Sequence, residues 1–107
     1  MDIRETHHTE VADNAVLLDV REPDEWARGH APDAVLIPLG ELPTRLNEVP
    51  QGSPLVVTCR SGGRSARAVA FLNANGIDAV NLSGGMLEWH RSGRPMTHDG
   101  PGCPEVH

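Results

Sequence analysis

The chain has 107 residues and a formal charge of −6, with nine basic residues, all Arg, against 15 acidic ones. That length suits one domain, able to bury about 65% of its unfolded surface, and with one Phe, two Trp and no Tyr its core must be mainly Val, Leu and Ala. The acidic balance argues against general nucleic-acid binding, which needs a basic surface to displace counterions. Two cysteines do not make a disulfide scaffold. No apolar run approaches the roughly 18–20 residues that span a bilayer, and Met1–Glu10 is polar with no secretory pattern. The expectation is a cytoplasmic domain whose partners include neither nucleic acid nor membrane.

Short apolar runs alternate with polar helical stretches. Ala15–Val20 is nearly continuous in hydrophobicity, which predicts a strand covered on both faces. Pro23–Arg28 reads as a short helix with acidic residues in its first turn and Gly29 at its end. Ala34–Ile37 predicts a second strand, stopped by Pro38. Glu41–Val49 reads as a short helix, with Leu42, Leu46 and Val49 spaced to share a face. Pro54–Cys59 is the clearest strand and Arg64–Asn75 the clearest helix, with Ala68, Val69 and Leu72 as a core stripe and Gly76 as the stop. Asp78–Leu82 predicts a strand and Gly85–Ser92 a last helix. From Gly93 onward three Pro and three Gly in 15 residues predict irregular structure. This alternation indicates an α/β domain with a mostly parallel sheet, in which ligands bind beyond the carboxyl ends of the strands.

Cys59-Arg60-Ser61-Gly62-Gly63-Arg64-Ser65 lies between the clearest strand and the clearest helix. Gly62 and Gly63 permit positive φ, so successive N–H groups can converge on an anion. The helix that follows adds the partial positive charge of its N-terminus, and Arg60 and Arg64 add two full charges. A cysteine at the end of a buried strand is ordinarily a small packed hydrophobe. Here every neighbour favours the thiolate, so Cys59 is expected to be a nucleophile of lowered pKa.

These residues carry a resemblance. The Cys59–Ser65 loop is similar to the active-site loop of single-domain rhodaneses. Upstream, Leu18-Asp19-Val20-Arg21 and Gly29-His30-Ala31-Pro32-Asp33-Ala34 resemble that family's Asp-Val-Arg and Gly-His segments. Downstream, Gly84-Gly85-Met86-Leu87-Glu88-Trp89 and Gly93-Arg94-Pro95 resemble its closing elements. The resemblance implies a three-layer α/β/α fold with a central five-stranded sheet, a rhodanese domain over residues 1–96 and an irregular tail over 97–107. It implies sulfur transfer through a persulfide on Cys59, from an anionic donor such as thiosulfate to cyanide, a thiol or a sulfur-carrier protein. Arg60, Ser61, Gly62, Gly63, Arg64 and Ser65 would bind the substrate, and neither metal nor organic cofactor would be required. Met1–Asn14 is short for the strand and helix usual in the family at that point.

Two other readings stand beside it. One is a persulfide carrier or binding module serving a partner protein. The other is a Cys-dependent phosphatase or arsenate reductase, but those loops read Cys-x5-Arg whereas Cys59 to Arg64 is Cys-x4-Arg. Elsewhere, Asp19 and Arg21 are expected to form a buried ion pair, and Glu25 and Arg28 to pair on a helix surface. His30 reads as packed or backbone-bonded, Trp26 and Trp89 as core or pocket wall, and His7 and His8 as exposed. The tail residues His98, Cys103 and His107 lack a paired-cysteine metal spacing, and the tail is expected to be solvated.

Overall fold

The computed structural model describes residues 3–106; Met1, Asp2 and His107 lie outside that range. Five strands form one sheet: β1 (Glu5–Thr6), β2 (Leu17–Asp19), β3 (Val35–Leu36), β4 (Leu55–Thr58) and β5 (Ala79–Leu82). Their spatial order is β1-β5-β4-β2-β3, and every adjacent pair is parallel. The helices are α1 (Pro23–Arg28), α2 (Gly63–Ala74) and α3 (Gly85–Arg91).

Alternation along each strand feeds two cores. Leu18, Leu55, Val57, Cys59 and Ala79 pack with Ala68, Val69 and Leu72 of α2. Leu17, Leu82 and partly buried Val56 pack with Met86 and Trp89 of α3. This is the three-layer arrangement expected, and it explains why the strand sequences are apolar on both faces. The segment before Ala15, short for a strand and a helix, holds β1 and, in place of a full helix, a single 3-10 turn at His8–Glu10.

The helix expected over Glu41–Val49 is instead two 3-10 segments, Leu39–Thr44 and Leu46–Glu48. The first begins at Leu39, two residues before the expected start, so Pro43 lies inside it, and in a continuous α-helix begun there its ring would clash with the Leu39 carbonyl. His8, expected to be exposed, is buried, and its ring lies 3.0 Å from the Ser92 hydroxyl. The segment after Met96 has little regular structure and is mostly exposed, as expected, yet it is tied to α1. Thr97 pairs with His30 in an antiparallel bridge, and the N–H groups of Asp99 and Glu105 donate to the carbonyls of Ala27 and Arg28. His30 is backbone-bonded as expected, with Nδ1 2.7 Å from the Trp26 carbonyl and its ring stacked on Trp26.

Asp19 and Arg21 form the expected buried pair, with both side chains fully enclosed. Arg21 Nε and Nη2 donate to the carboxylate at 2.7–3.0 Å, and Nη2 also donates to the Gly29 carbonyl at 2.8 Å. One guanidinium therefore clamps the end of α1 to the end of β2. Removing one partner of such a pair strands a buried charge, whereas replacing both with apolar groups relieves it. Asp19→Ala is expected to lower stability by about 3–5 kcal/mol in urea unfolding, and Asp19→Leu combined with Arg21→Met to lower it less than Asp19→Ala alone.

Candidate active site

Cys59 follows β4 directly and keeps the inward direction of Leu55 and Val57, so it enters the α2 core at 1% exposure. Its Sγ accepts hydrogen bonds from the Gly62 N–H at 3.1 Å and the Ser65 hydroxyl at 3.3 Å. Ser65 reaches it because residues 65, 68, 69 and 72 form the buried stripe of α2. Burial pushes the Cys59 thiol up. The Ser65 hydroxyl and the backbone N–H groups of Ser65, Gly62 and Ser61 outweigh it, and the net result lies below the ordinary value of 9.0.

The loop keeps its shape from beneath. At the start of α3, the N–H of Met86 donates to the Cys59 carbonyl at 2.8 Å and that of Leu87 to the Arg60 carbonyl at 3.0 Å. Gly85 makes this approach feasible: its φ is +57°, and a Cβ there would lie 2.6 Å from both carbonyl oxygens. Gly62, with φ +113°, turns the chain from the loop into α2. Asn81 of β5 braces that turn by donating from Nδ2 to the Gly62 carbonyl at 3.1 Å, while its Oδ1 accepts from the Ser65 hydroxyl at 2.5 Å.

The charges are arranged differently from the sequence expectation. Glu25 does not pair with Arg28, whose partner is Asp24 at 3.6 Å. It instead accepts two bonds from Arg64, Nη1 at 2.7 Å and Nη2 at 2.8 Å, bridging α1 to the first turn of α2. Arg64 hydrogen bonding holds the Glu25 carboxyl at about 2, against its partial burial and with help from the Glu22 N–H and the charges of Arg64 and Arg21. The guanidinium of Arg64 is raised in turn, by Glu25 foremost. Arg60 is exposed and carries no carboxylate partner among the described ion pairs.

Of the loop residues singled out in the sequence, Gly62 and Ser65 meet the sulfur through a hydrogen bond and Ser61 adds a backbone N–H. Arg60 and Gly63 are exposed, and Arg64 is turned to α1. Asn81 was missed. Its signal is a polar residue two positions after inward-facing Ala79, inside a wholly buried strand. Trp26 is half-buried and Trp89 is core. A separate groove lined by Leu46, Val49, Ile77 and neighbouring residues opens at the amino ends of β4 and β5, the opposite end of the sheet from Cys59, and has neither cysteine nor arginine in its lining. Among the described residues there is no cluster of metal-ligating side chains, and no helix is long and apolar enough to cross a membrane.

Residues 4–92 match the Rhodanese-like domain family. The chain belongs to that family. It is 41% identical over 85 residues to a sulfurtransferase of Allochromatium vinosum, covering 78% of this chain and 79% of that protein. The structure is similar to that of a rhodanese-related protein from Thermoplasma volcanium, with TM-score 0.80, 32% identity and coverage of 88% of this chain and 97% of the other. It also resembles part of a thiosulfate sulfurtransferase from Pseudomonas aeruginosa, with TM-score 0.80 and 25% identity over 92% of this chain and 20% of that one.

The Glu25–Arg64 bridge gives this rhodanese-like domain an acid-sensitive element. A carboxyl held below its unfolded value stabilises the fold fully above that value, and the contribution is lost as pH falls through the folded one. Wild type is expected to melt at higher temperature than Glu25→Gln above about pH 4.5, with the gap closing as pH approaches about 2. Paired thermal melts across acidic pH measure it.

Proposed function

We propose that the protein is a thiosulfate-type sulfurtransferase that carries sulfane sulfur on Cys59. The observation that supports this is a buried sulfur hydrogen-bonded by the Gly62 N–H and the Ser65 hydroxyl at the head of a cationic loop. The reaction has two displacements. The Cys59 thiolate attacks the outer sulfur of thiosulfate; the new Sγ–S bond forms as the S–S bond to the sulfonate breaks, and sulfite leaves with the electron pair. Cyanide, a thiol or a carrier protein then attacks the outer sulfur, and Cys59 departs as thiolate. Splitting one transfer into two steps is covalent catalysis.

The charge moves during the first step. In the persulfide it resides on the outer sulfur, about 2 Å from Sγ along the new bond. The loop N–H groups then serve a sulfur anion as an oxyanion hole serves oxygen. With Cys59 nearly enclosed, a slender terminal sulfur suits the site better than a bulky group. Arg60, without a carboxylate partner among the described residues, can receive the sulfonate end, with Ser61 and Gly63 beside it on the exposed rim. Arg64 contributes through its field, because Glu25 holds both its terminal nitrogens. That engagement also weighs against the phosphatase reading, in which the loop arginine must clamp the phosphate. The likeness to a thiosulfate sulfurtransferase supports the choice of donor.

Incubation with thiosulfate and cyanide is expected to yield thiocyanate, and intact mass after thiosulfate alone to show one added sulfur atom on Cys59. Cys59→Ala should abolish both. Equal silence of wild type and Cys59→Ala in both measurements would sink the proposal.

A further inference from the structure

The hydrogen bonds behind Cys59 carry a proton count that does not close in every state of the sulfur. The Ser65 hydroxyl has one proton and two acceptors within reach, Cys59 Sγ at 3.3 Å and Asn81 Oδ1 at 2.5 Å. All three residues are buried. The Asn81 amide cannot exchange its two ends freely, because Nδ2 donates to the Gly62 carbonyl at 3.1 Å, and turning it would set oxygen against oxygen. Oδ1 therefore faces Ser65 permanently, and Ser65 is its only partner among the described hydrogen bonds.

We propose that Asn81 is a positioning residue for sulfur transfer, one that holds the Ser65 proton whenever Cys59 Sγ is neutral and gives it up when Sγ is ionised. In the thiol, Cys59 S–H donates to Ser65 Oγ and Ser65 O–H donates to Asn81 Oδ1, so the chain is complete. In the thiolate, Ser65 turns its proton to Sγ, and Asn81 Oδ1 is left as a buried acceptor without a donor. In the persulfide, Sγ is a neutral divalent sulfur and the charge sits on the outer atom, so Ser65 returns its proton to Asn81. The relay thus disfavours the bare thiolate relative to the loaded state. It opposes the loop N–H groups, which favour a thiolate. The result is a cysteine that ionises readily yet gains a hydrogen bond on accepting sulfur.

This inference rests on Cys59 as the nucleophile, but its test needs no sulfur donor, so failure of the donor reaction leaves it measurable. The experiment is the pH profile of Cys59 alkylation by iodoacetamide in the full chain, with Cys103→Ser as the common background. The charged and titratable groups on the elements around Cys59 are Arg60, Arg64 with Glu25, Arg67 on α2, the Asp19–Arg21 pair, and Glu88, His90 and Arg91 on α3. None is altered by the substitutions used. Asn81→Ala and Asn81→Val are expected to move the profile to lower pH, since Ser65 then donates to Sγ without competition. Well below the midpoint the rate should rise about fivefold, the equivalent of one ordinary hydrogen bond. Ser65→Ala should move the profile to higher pH, and adding either Asn81 substitution to it should produce no further change. Two Asn81 variants are used so that loss of folding in one, detected by circular dichroism, leaves the other to decide. A profile that is unchanged or shifted upward in the folded variant overturns the proposal. So does an equal downward shift with Ser65→Ala already in place, since Asn81 would then act through the Gly62 turn.

Discussion

Two backbone carbonyls at the end of β4, those of Cys59 and Arg60, are anchored to the first N–H groups of α3. The rest of the site depends on that anchorage. In a trans peptide the C=O of one residue and the N–H of the next point in opposite directions. Drawing the Arg60 carbonyl down to Leu87 therefore turns the Ser61 N–H the other way, toward the sulfur. The Gly62 carbonyl is taken up as well, by Asn81 Nδ2 and the Ala66 N–H, which fixes the turn into α2. The cradle is thus built by satisfying the loop's acceptors from outside. Gly85 permits this because no side chain intervenes between α3 and those oxygens.

Electrostatics at the site are local and nearly independent of the acidic total. Arg64 reads in sequence as a free cation, but its charge is balanced by Glu25, and the pair also joins α1 to α2. α1 is itself held by Arg21, which ties Gly29 to the end of β2 through the Asp19 pair. Two ion pairs in series therefore run from the sheet to the loop. What is left for an incoming anion is Arg60 on the rim, together with neutral donors that need no counter-charge.

The fold was legible where local physics and global topology agree. Leu17, Leu18 and Val56, Val57 are apolar on successive positions because each strand is covered twice, and that pattern is visible without coordinates. Cys59 and Ser65 were legible because a strand end, two glycines and a helix start coincide within seven residues. Long-range pairing was not. Glu25 lies 39 residues from Arg64, and the nearer Arg28 offers an equally good helical spacing. His8 looks like its neighbour His7 until Ser92, 84 residues away, is brought against it. Over Glu41–Val49 the apolar spacing of a helix was present, but the turn begins earlier, at Leu39, and from that start the ring of Pro43 bars a continuous α-helix. The tail's composition correctly suggested little regular structure. It did not show that Val106 would pack into the α3 core.

The anchorage beneath the loop has a consequence for how such a site can diversify. Its near end is fixed to α3, and its far end is already the first turn of α2, while Ser61 and Gly63 between them face solvent. Change has room on that rim, where a Cβ at Gly63 would meet nothing within 4 Å, and none on the floor, where a Cβ at Gly85 would lie 2.6 Å from two carbonyl oxygens. The rim can therefore vary while the floor, set by the Gly84–Gly85 turn, stays in place. The side chains that greet an incoming anion are thus separable from the backbone donors that hold the sulfur.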